Sequence, residues 1–279
     1  HIRSGGLAVV LEEGINGQMI TLYDQGNHLP LMWTQLIPAT LEGKAIHNVQ
    51  NTMFAALITY AMGTRLDNIR QGLRTFDTSF FQVPGRLNVF DELPFKVILD
   101  YGHNPAAVRC MADLVTRMDV KGRRLCVLAA PGDRRDEDVL QIVDYAFEAN
   151  FAHYVLRRDD RLRGRGEIEI PQMMEKRLLE LGVPPEAITI IPQEVEALDH
   201  ALKMAEQDDL LLVFGDNCPR CWKQIINFGE ALSSAPSRGE SDHSDFVTSL
   251  PVLGGDLDFL AGDLIHDHRG VRLARVEED

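Results

Sequence analysis

Val97-Ile98-Leu99-Asp100-Tyr101-Gly102-His103-Asn104-Pro105 is an apolar run that ends on a carboxylate and breaks into a polar turn before a proline. Phe95 to Asp100 is short, apolar and bounded by turn residues, which predicts a buried strand. Pro105 to Met118 predicts the helix that follows, with proline in the first turn, where its missing N–H is tolerated. A carboxylate leaving a buried strand can accept from sugar hydroxyls or help hold a metal, and His103 adds a donor beside the helix start. Asn and Asp are also ordinary N-cap residues, so a capped helix with a solvated histidine explains the same turn.

The rhythm repeats downstream. Arg124–Ala130, Phe151–Leu156, Ala187–Ile191 and Asp209–Gly215 read as strands, and Leu87–Phe90 as a short one upstream. Asp136–Ala149, Pro171–Leu181 and Glu194–Ala205 read as the helices between them. Apolar strands alternating with amphipathic helices predict an α/β fold with a mostly parallel sheet covered on both faces. Before Phe76 the pattern differs. Leu7–Glu12 and Gln18–Asp24 flank Asn16-Gly17 and predict a hairpin. Ile46–Met62 predicts a helix with Met53, Phe54, Leu57, Ile58 and Ala61 on one face, and Leu66–Leu73 a second, short one. Phe76–Gly85 reads as a linker. The expected divisions are residues 1–80, 84–229 and an acidic, disordered tail at 230–279, within which Leu257 to Ile265 can dock as a short amphipathic segment.

Composition narrows the class. The 279 residues are 45% hydrophobic and 25% charged, ordinary for a globular protein. A net charge of -14 argues against a general nucleic-acid or anionic-membrane binder, because phosphates would be repelled. Half of that excess falls after Phe228, where 11 acidic residues face 4 basic ones. No apolar run reaches the roughly 18 residues of a membrane span, and no signal segment precedes Leu7, so a cytoplasmic protein or a fragment of one is expected. Of Cys110, Cys126, Cys218 and Cys221 only the last two are close, without a second pair to complete a zinc or redox motif. Reduced, structural thiols and no protein-held metal are the expectation.

Two further strand ends are polar. Ala130-Pro131-Gly132-Asp133-Arg134-Arg135-Asp136 offers close backbone approach at Gly132, a helix N-terminus that favours anions, and two guanidiniums for phosphate or carboxylate. A solvated charge run explains it equally well. Arg157 to Gly166 sets five arginines and two aspartates around glycines, which suits a zwitterionic substrate: arginine forks for a carboxylate, aspartates for a cation. Upstream, Gly43-Lys44 is not a phosphate loop, since Pro38 stands where a glycine is needed and no Ser or Thr follows the lysine. Asn48 and Asn51 lie one turn apart, so their amides share a face that can read an adenine edge or simply cap.

His47-Asn48-Val49-Gln50-Asn51, Gly85-Arg86 and Asp100 to Pro105, in that order, resemble the Mur ligase superfamily. There a His-Asn-x-x-Asn helix ends the central ATP-binding domain, a Gly-Arg opens the C-terminal domain, and an Asp-Tyr-Ala-His-x-Pro turn follows an early strand. This chain departs by Gly102 for the usual alanine and Asn104 for the usual threonine. Within the superfamily, Thr75-Phe76-Asp77, Pro84 to Asp91, Leu128 to Asp136, Arg157 to Asp160 and Trp222 to Ile226 look like the cyanophycin synthetase family, over residues 1 to 228.

The resemblance implies that residues 1–80 end a Mur ligase central domain. It makes 84–229 a Mur ligase C-terminal, Rossmann-like domain acting as a mobile lid. It implies an ATP- and Mg2+-dependent ligase that adds L-arginine to aspartate side chains of a cyanophycin primer through an acyl phosphate. By the same analogy Asn48 and Asn51 contact the nucleotide, Arg86 and Asp100 its ribose or phosphates, and Asp100 and His103 are catalytic. Asp159, Asp160 and Arg163, with Arg134, read the incoming amino acid, and Asp216 is a further candidate. A homo-oligomer is expected, with no nucleic-acid or membrane partner. The phosphate loop would lie before His1, so this chain alone is expected to be inactive. Two alternatives stay open: another Mur-type ligase, acting on peptidoglycan precursors or folylpolyglutamate, or an inactive Mur-like domain that binds polymer or oligomerises.

Overall fold

The computed structural model describes residues 1–234 and two short strands beyond them, Leu264–Asp267 and Gly270–Leu273. The chain divides into two compact units, residues 1–78 with 106–119, and residues 79–105 with 120–279.

In the first unit, β1 (Ala8–Gly14), β2 (Gly17–Asp24) and β3 (Asn27–Trp33) form an antiparallel meander in that order. The expected hairpin is there, its two-residue loop closed by Gly14 opposite Gly17, whose φ of 111° suits only glycine. β3 is not foreshadowed, because Pro30 interrupts its apolar run. It is tolerated on an edge strand where the register slips, with Met32 opposite Ile20 but Pro30 opposite Thr21. Helices α1 (Ile46–Ala61) and α2 (Leu66–Thr75) pack on this sheet through Val49, Ala56 and Ile69 against Ile20, Leu22 and Met32. The expected apolar face of α1 is therefore split. Met53 and Leu57 pack inward, whereas Phe54 is 63% and Ile58 58% exposed. α3 (Pro105–Arg117) buries Val108, Met111, Ala112, Leu114 and Val115, one stripe at helical spacing.

The second unit is built on a six-stranded sheet. Its strands are β4 (Asn88–Phe90), β5 (Lys96–Asp100), β6 (Arg124–Ala130), β7 (His153–Arg158), β8 (Ile188–Ile190) and β9 (Leu210–Phe214), in the order β4-β5-β9-β6-β7-β8. Only β4 runs antiparallel, so the sheet is mostly parallel as expected. The last strand, β9, lies between β5 and β6 and is buried along its whole length, which is why all five of its residues are apolar. One face packs Val97, Leu99, Val127, Leu211 and Val213 against α6 (Glu194–Met204) and α7 (Cys218–Ser234). α4 (Asp136–Glu148) and α5 (Glu169–Glu180) complete the unit and pack on each other.

α7 is not among the expected helices and runs four residues past Glu230, where the tail was expected to begin. Pro219 and Gly229 obscure the helical spacing of Cys221, Trp222, Ile225 and Ile226, all buried. Within the expected tail, β10 (Leu264–Asp267) pairs antiparallel with β11 (Gly270–Leu273), and the rest lies outside the described residues, as does most of Leu257 to Ile265. The four cysteines are free thiols. Burial first, then the Glu194 and Asp100 charges, push Cys218 up to about 12, which keeps it protonated and unreactive. Among the described residues no helix is long and apolar enough to cross a membrane.

Candidate active site

Ligands of open parallel sheets bind beyond the carboxyl ends of the strands. In the second unit those ends are Asp100, Ala130, Arg158 and Phe214.

Asp100, 8% exposed, accepts the Gly102 N–H on Oδ1 at 2.7 Å and the Leu87 N–H on Oδ2 at 2.9 Å. Around it the Tyr101 N–H donates to the Gly85 carbonyl at 2.8 Å, and the Gly85 N–H to Asn88 Oδ1 at 2.6 Å. The carboxylate thus folds the Gly85-Arg86 segment onto the turn after β5. Leu87 is held at a φ of 52°, outside the range a leucine prefers. A Cβ at Gly102 would lie 2.9 Å from the Phe214 ring and 3.0 Å from Asp100 Oδ1, so this chain needs glycine there. The Arg86 guanidinium lies 5.5 Å from the centre of the Tyr101 ring and pairs with no carboxylate among the described residues. His103 Nδ1 is 3.0 Å from the Tyr101 carbonyl, which can only accept. Nδ1 therefore carries the proton, and Nε2 is the acceptor of the neutral ring.

The loops after β6 and β7 are tied together by arginines. Arg163 donates to Asp133 Oδ2 at 2.6 Å, and that hydrogen bond holds the Asp133 carboxyl below its ordinary range. Arg165 donates to the Gly132 carbonyl at 3.2 Å, to the Arg134 carbonyl at 3.1 Å and to Asp136 at 2.6 Å. A Cβ at Gly132 would sit 2.2 Å from the Leu162 carbonyl, so the close approach that Gly132 permits is to the neighbouring loop. Arg135 pairs with Asp138 at 2.9 Å. Arg134 and Arg161 make no side-chain hydrogen bond or ion pair among the described residues.

Behind these loops Arg157, Asp160 and Asp216 join Glu194 and Arg220 in a charged cluster. Arg157 is fully buried and donates to Asp216 Oδ2 at 2.8 Å and to the Phe214 carbonyl at 2.5 Å, with Glu194 Oε1 at 3.1 Å. Burial works against its charge, but Glu194 and Asp216 outweigh it and carry the Arg157 pKa up. Asp216 is pushed up by burial and pulled further down by Arg157, so it stays ionised. Arg220 pairs with Glu194 and donates to Asp160 Oδ2 at 2.6 Å. The Asp160 N–H reaches Asp216 Oδ2 at 2.9 Å. Asp159 accepts the Arg161 N–H on Oδ1 at 2.7 Å and has no ion pair among the described residues. Burial raises its pKa. Glu194 sits in the first turn of α6, where acid is ordinary, and Arg220 in Cys-Pro-Arg-Cys, so each has an ordinary local explanation in the sequence.

Asn48 and Asn51 lie in the first unit, on one face of α1 as their spacing implies. Asn51 Nδ2 donates to Asn48 Oδ1 at 3.2 Å, and Asn48 Nδ2 to the Ala39 carbonyl at 2.7 Å. Arg86 and Arg134, in one unit and without an ion pair among the described residues, fit a polyphosphate. No group of three or more His, Cys, Asp or Glu able to hold a metal ion occurs among the described residues.

The family model for the Mur ligase glutamate ligase domain matches residues 85–217. Cyanophycin synthetase of Synechocystis sp. is 35% identical over 225 residues, 81% of this chain and 25% of that protein. That of Trichormus variabilis is 31% identical over 257 residues, 91% of this chain and 28% of that protein. A UDP-N-acetylmuramoyl-L-alanyl-D-glutamate–2,6-diaminopimelate ligase of Halalkalibacterium halodurans is 27% identical over 169 residues, 60% of this chain and 32% of that protein. The chain thus spans about a quarter of the length of the cyanophycin synthetases it matches. A solved structure of Mycobacterium tuberculosis folylpolyglutamate synthase shares the fold, with a TM-score of 0.55 at 19% identity over 80% of this chain and 48% of that one.

Proposed function

The chain belongs to the Mur ligase superfamily, and on that premise we propose that it is the C-terminal part of an ATP-dependent ligase that adds arginine to aspartate side chains of a cyanophycin polymer. The observation that carries this reading is the pairing of unmet charges at the strand ends of one sheet. Among the described residues Arg86, Arg134 and Arg161 make no ion pair with a carboxylate, and Asp159 makes none with a cation. Phosphate and the substrate carboxylates suit the former, a guanidinium the latter. The relatives named cyanophycin synthetase favour the arginine ligase over a peptidoglycan or folate one.

When bound, ATP supplies the phosphoryl group that activates an aspartate β-carboxyl as an acyl phosphate, from which phosphate leaves as the arginine α-amine forms the amide. The protein's part is positioning and charge neutralisation. Arg86 and Arg134 offset phosphate charge. His103 Nε2 takes the proton the amine sheds on forming the C–N bond. Asp100 braces the turn that carries Arg86 and His103, and its contact with the ribose or phosphates rests on the family resemblance. The arginine side chain is read by the Asp159–Arg163 loop. Asn48 and Asn51 contact the nucleotide, a role that rests on the family resemblance and on the shared amide face.

Phosphate release by the intact natural protein tests this. Release should require ATP, L-arginine and an aspartate-ended primer together, and no release with all three present would overturn the proposal.

A further inference from the structure

The loop after β7 carries two adjacent carboxylates in opposite circumstances. Asp160 is committed on both sides: its N–H donates to Asp216 Oδ2 at 2.9 Å and its carboxylate takes Arg220 at 2.6 Å. Asp159 is half-buried, holds one backbone N–H on Oδ1, and has no cation paired to it among the described residues. We propose that Arg220 and Glu194 are positioning residues that hold Asp160 back and leave Asp159 as the single carboxylate selecting a cationic side chain on the incoming amino acid. The inference rests on the ligase reading above and deepens it.

Arg157, with no exposed surface, joins Asp216, Glu194 and the Phe214 carbonyl at the ends of β7 and β9. Glu194, its side chain 1% exposed, is held from three directions: by Arg157, by the Asp216 N–H at 2.6 Å and by Arg220. Arg220 then has its position fixed before it meets Asp160. Removing one member of a desolvated set strands the charge of another, so such a set has one favourable arrangement. The loop is thereby mounted on β7, α6 and α7, which hold a ligand contact more accurately than a free loop does. Asp159 Oδ2 is the acceptor the set leaves over. Desolvation already disfavours its bare charge, a condition that an arriving guanidinium or ammonium relieves and a neutral group does not.

The 279-residue chain can be titrated calorimetrically with L-arginine and with L-citrulline, whose neutral urea replaces the guanidinium. Amide deuterium exchange over residues 159–166 is followed in parallel. Wild type should prefer arginine. Asp159→Asn should lose that preference and bind arginine about ten- to a hundredfold more weakly. Asp160→Asn should keep the preference. Arg220→Ala should speed exchange at the Asp160 amide and weaken arginine without altering the arginine-to-citrulline ratio, and Arg220→Lys should restore part of the protection. Loss of preference in Asp160→Asn but not in Asp159→Asn would overturn the selector assignment, and unchanged exchange in Arg220→Ala would overturn the positioning. Failure of wild type to bind either compound would count against arginine as substrate. The exchange measurement needs no ligand and judges the positioning by itself.

Discussion

Asp100 accepts N–H groups from Leu87 and Gly102, so its carboxylate braces the turn as well as facing the end of the sheet. Read from the sequence, it was poised between a helix cap and a ligand contact. Two of the bonds it makes are to the Leu87 and Gly102 N–H groups, and the first was not legible because which main chain folds back onto a carboxylate cannot be seen along a single strand-to-helix turn. Asp100→Ala should lower stability by about 2–3 kcal/mol, since two buried donors lose a charged acceptor, and urea unfolding reads the change. A second residue-scale expectation concerns Gly102. A Cβ there meets the Phe214 ring at 2.9 Å, so Gly102→Ala should destabilise by about 1–3 kcal/mol, and Phe214→Leu in the same chain should recover much of it. Asp159, Asp160, Arg134 and Arg163 were visible as charge beside glycines. Glu194 and Arg220 were not, because each has a bland local explanation and only the fold joins them across 26 residues.

At the scale of elements, the strands and helices from β5 to β9 were legible because buried parallel strands leave unbroken apolar runs. β3 and α7 were not, since prolines that are harmless on an edge or in a first helical turn look like breaks in a linear pattern. α7 nevertheless anchors the sheet. Trp222 stacks on Phe80 with centroids 5.0 Å apart and meets Phe90 edge-on at 5.7 Å. Trp222→Ala should cost about 3–5 kcal/mol, measured by thermal or urea unfolding. At the opposite end of the sheet, Asp209, 3% exposed, joins β9 to the chain entering β6. It accepts the Arg123 N–H at 2.6 Å, the Arg123 side chain at 2.7 Å and the Glu206 N–H at 2.9 Å. Burial raises the Asp209 pKa, but Arg123 and the backbone donors outweigh it and set it below its ordinary value. A carboxyl depressed by folding stabilises fully above its unfolded pKa of about 3.9 and less as pH falls through the lower folded value. Stability should therefore decline below about pH 4, and Asp209→Asn should lose about 2 kcal/mol at pH 7 while showing a shallower acid decline.

For the whole molecule, a chain of net charge -14 nevertheless sets Arg86, Arg134 and Arg161, which make no ion pair among the described residues, in loops at the carboxyl ends of one sheet, a local field opposite in sign to the chain's own. The superfamily was legible because its short motifs keep their order along the chain. The division of labour within the β7 loop was not, since it depends on partners on α6 and α7. The central claim is arginine transfer to an aspartate side chain. Its most direct test incubates an aspartate-ended primer and ATP with the intact natural protein and one amino acid at a time, then weighs the primer by mass spectrometry. The account predicts a gain of one arginine residue with L-arginine and none with L-glutamate or diaminopimelate. A gain with either of those and none with arginine would contradict it.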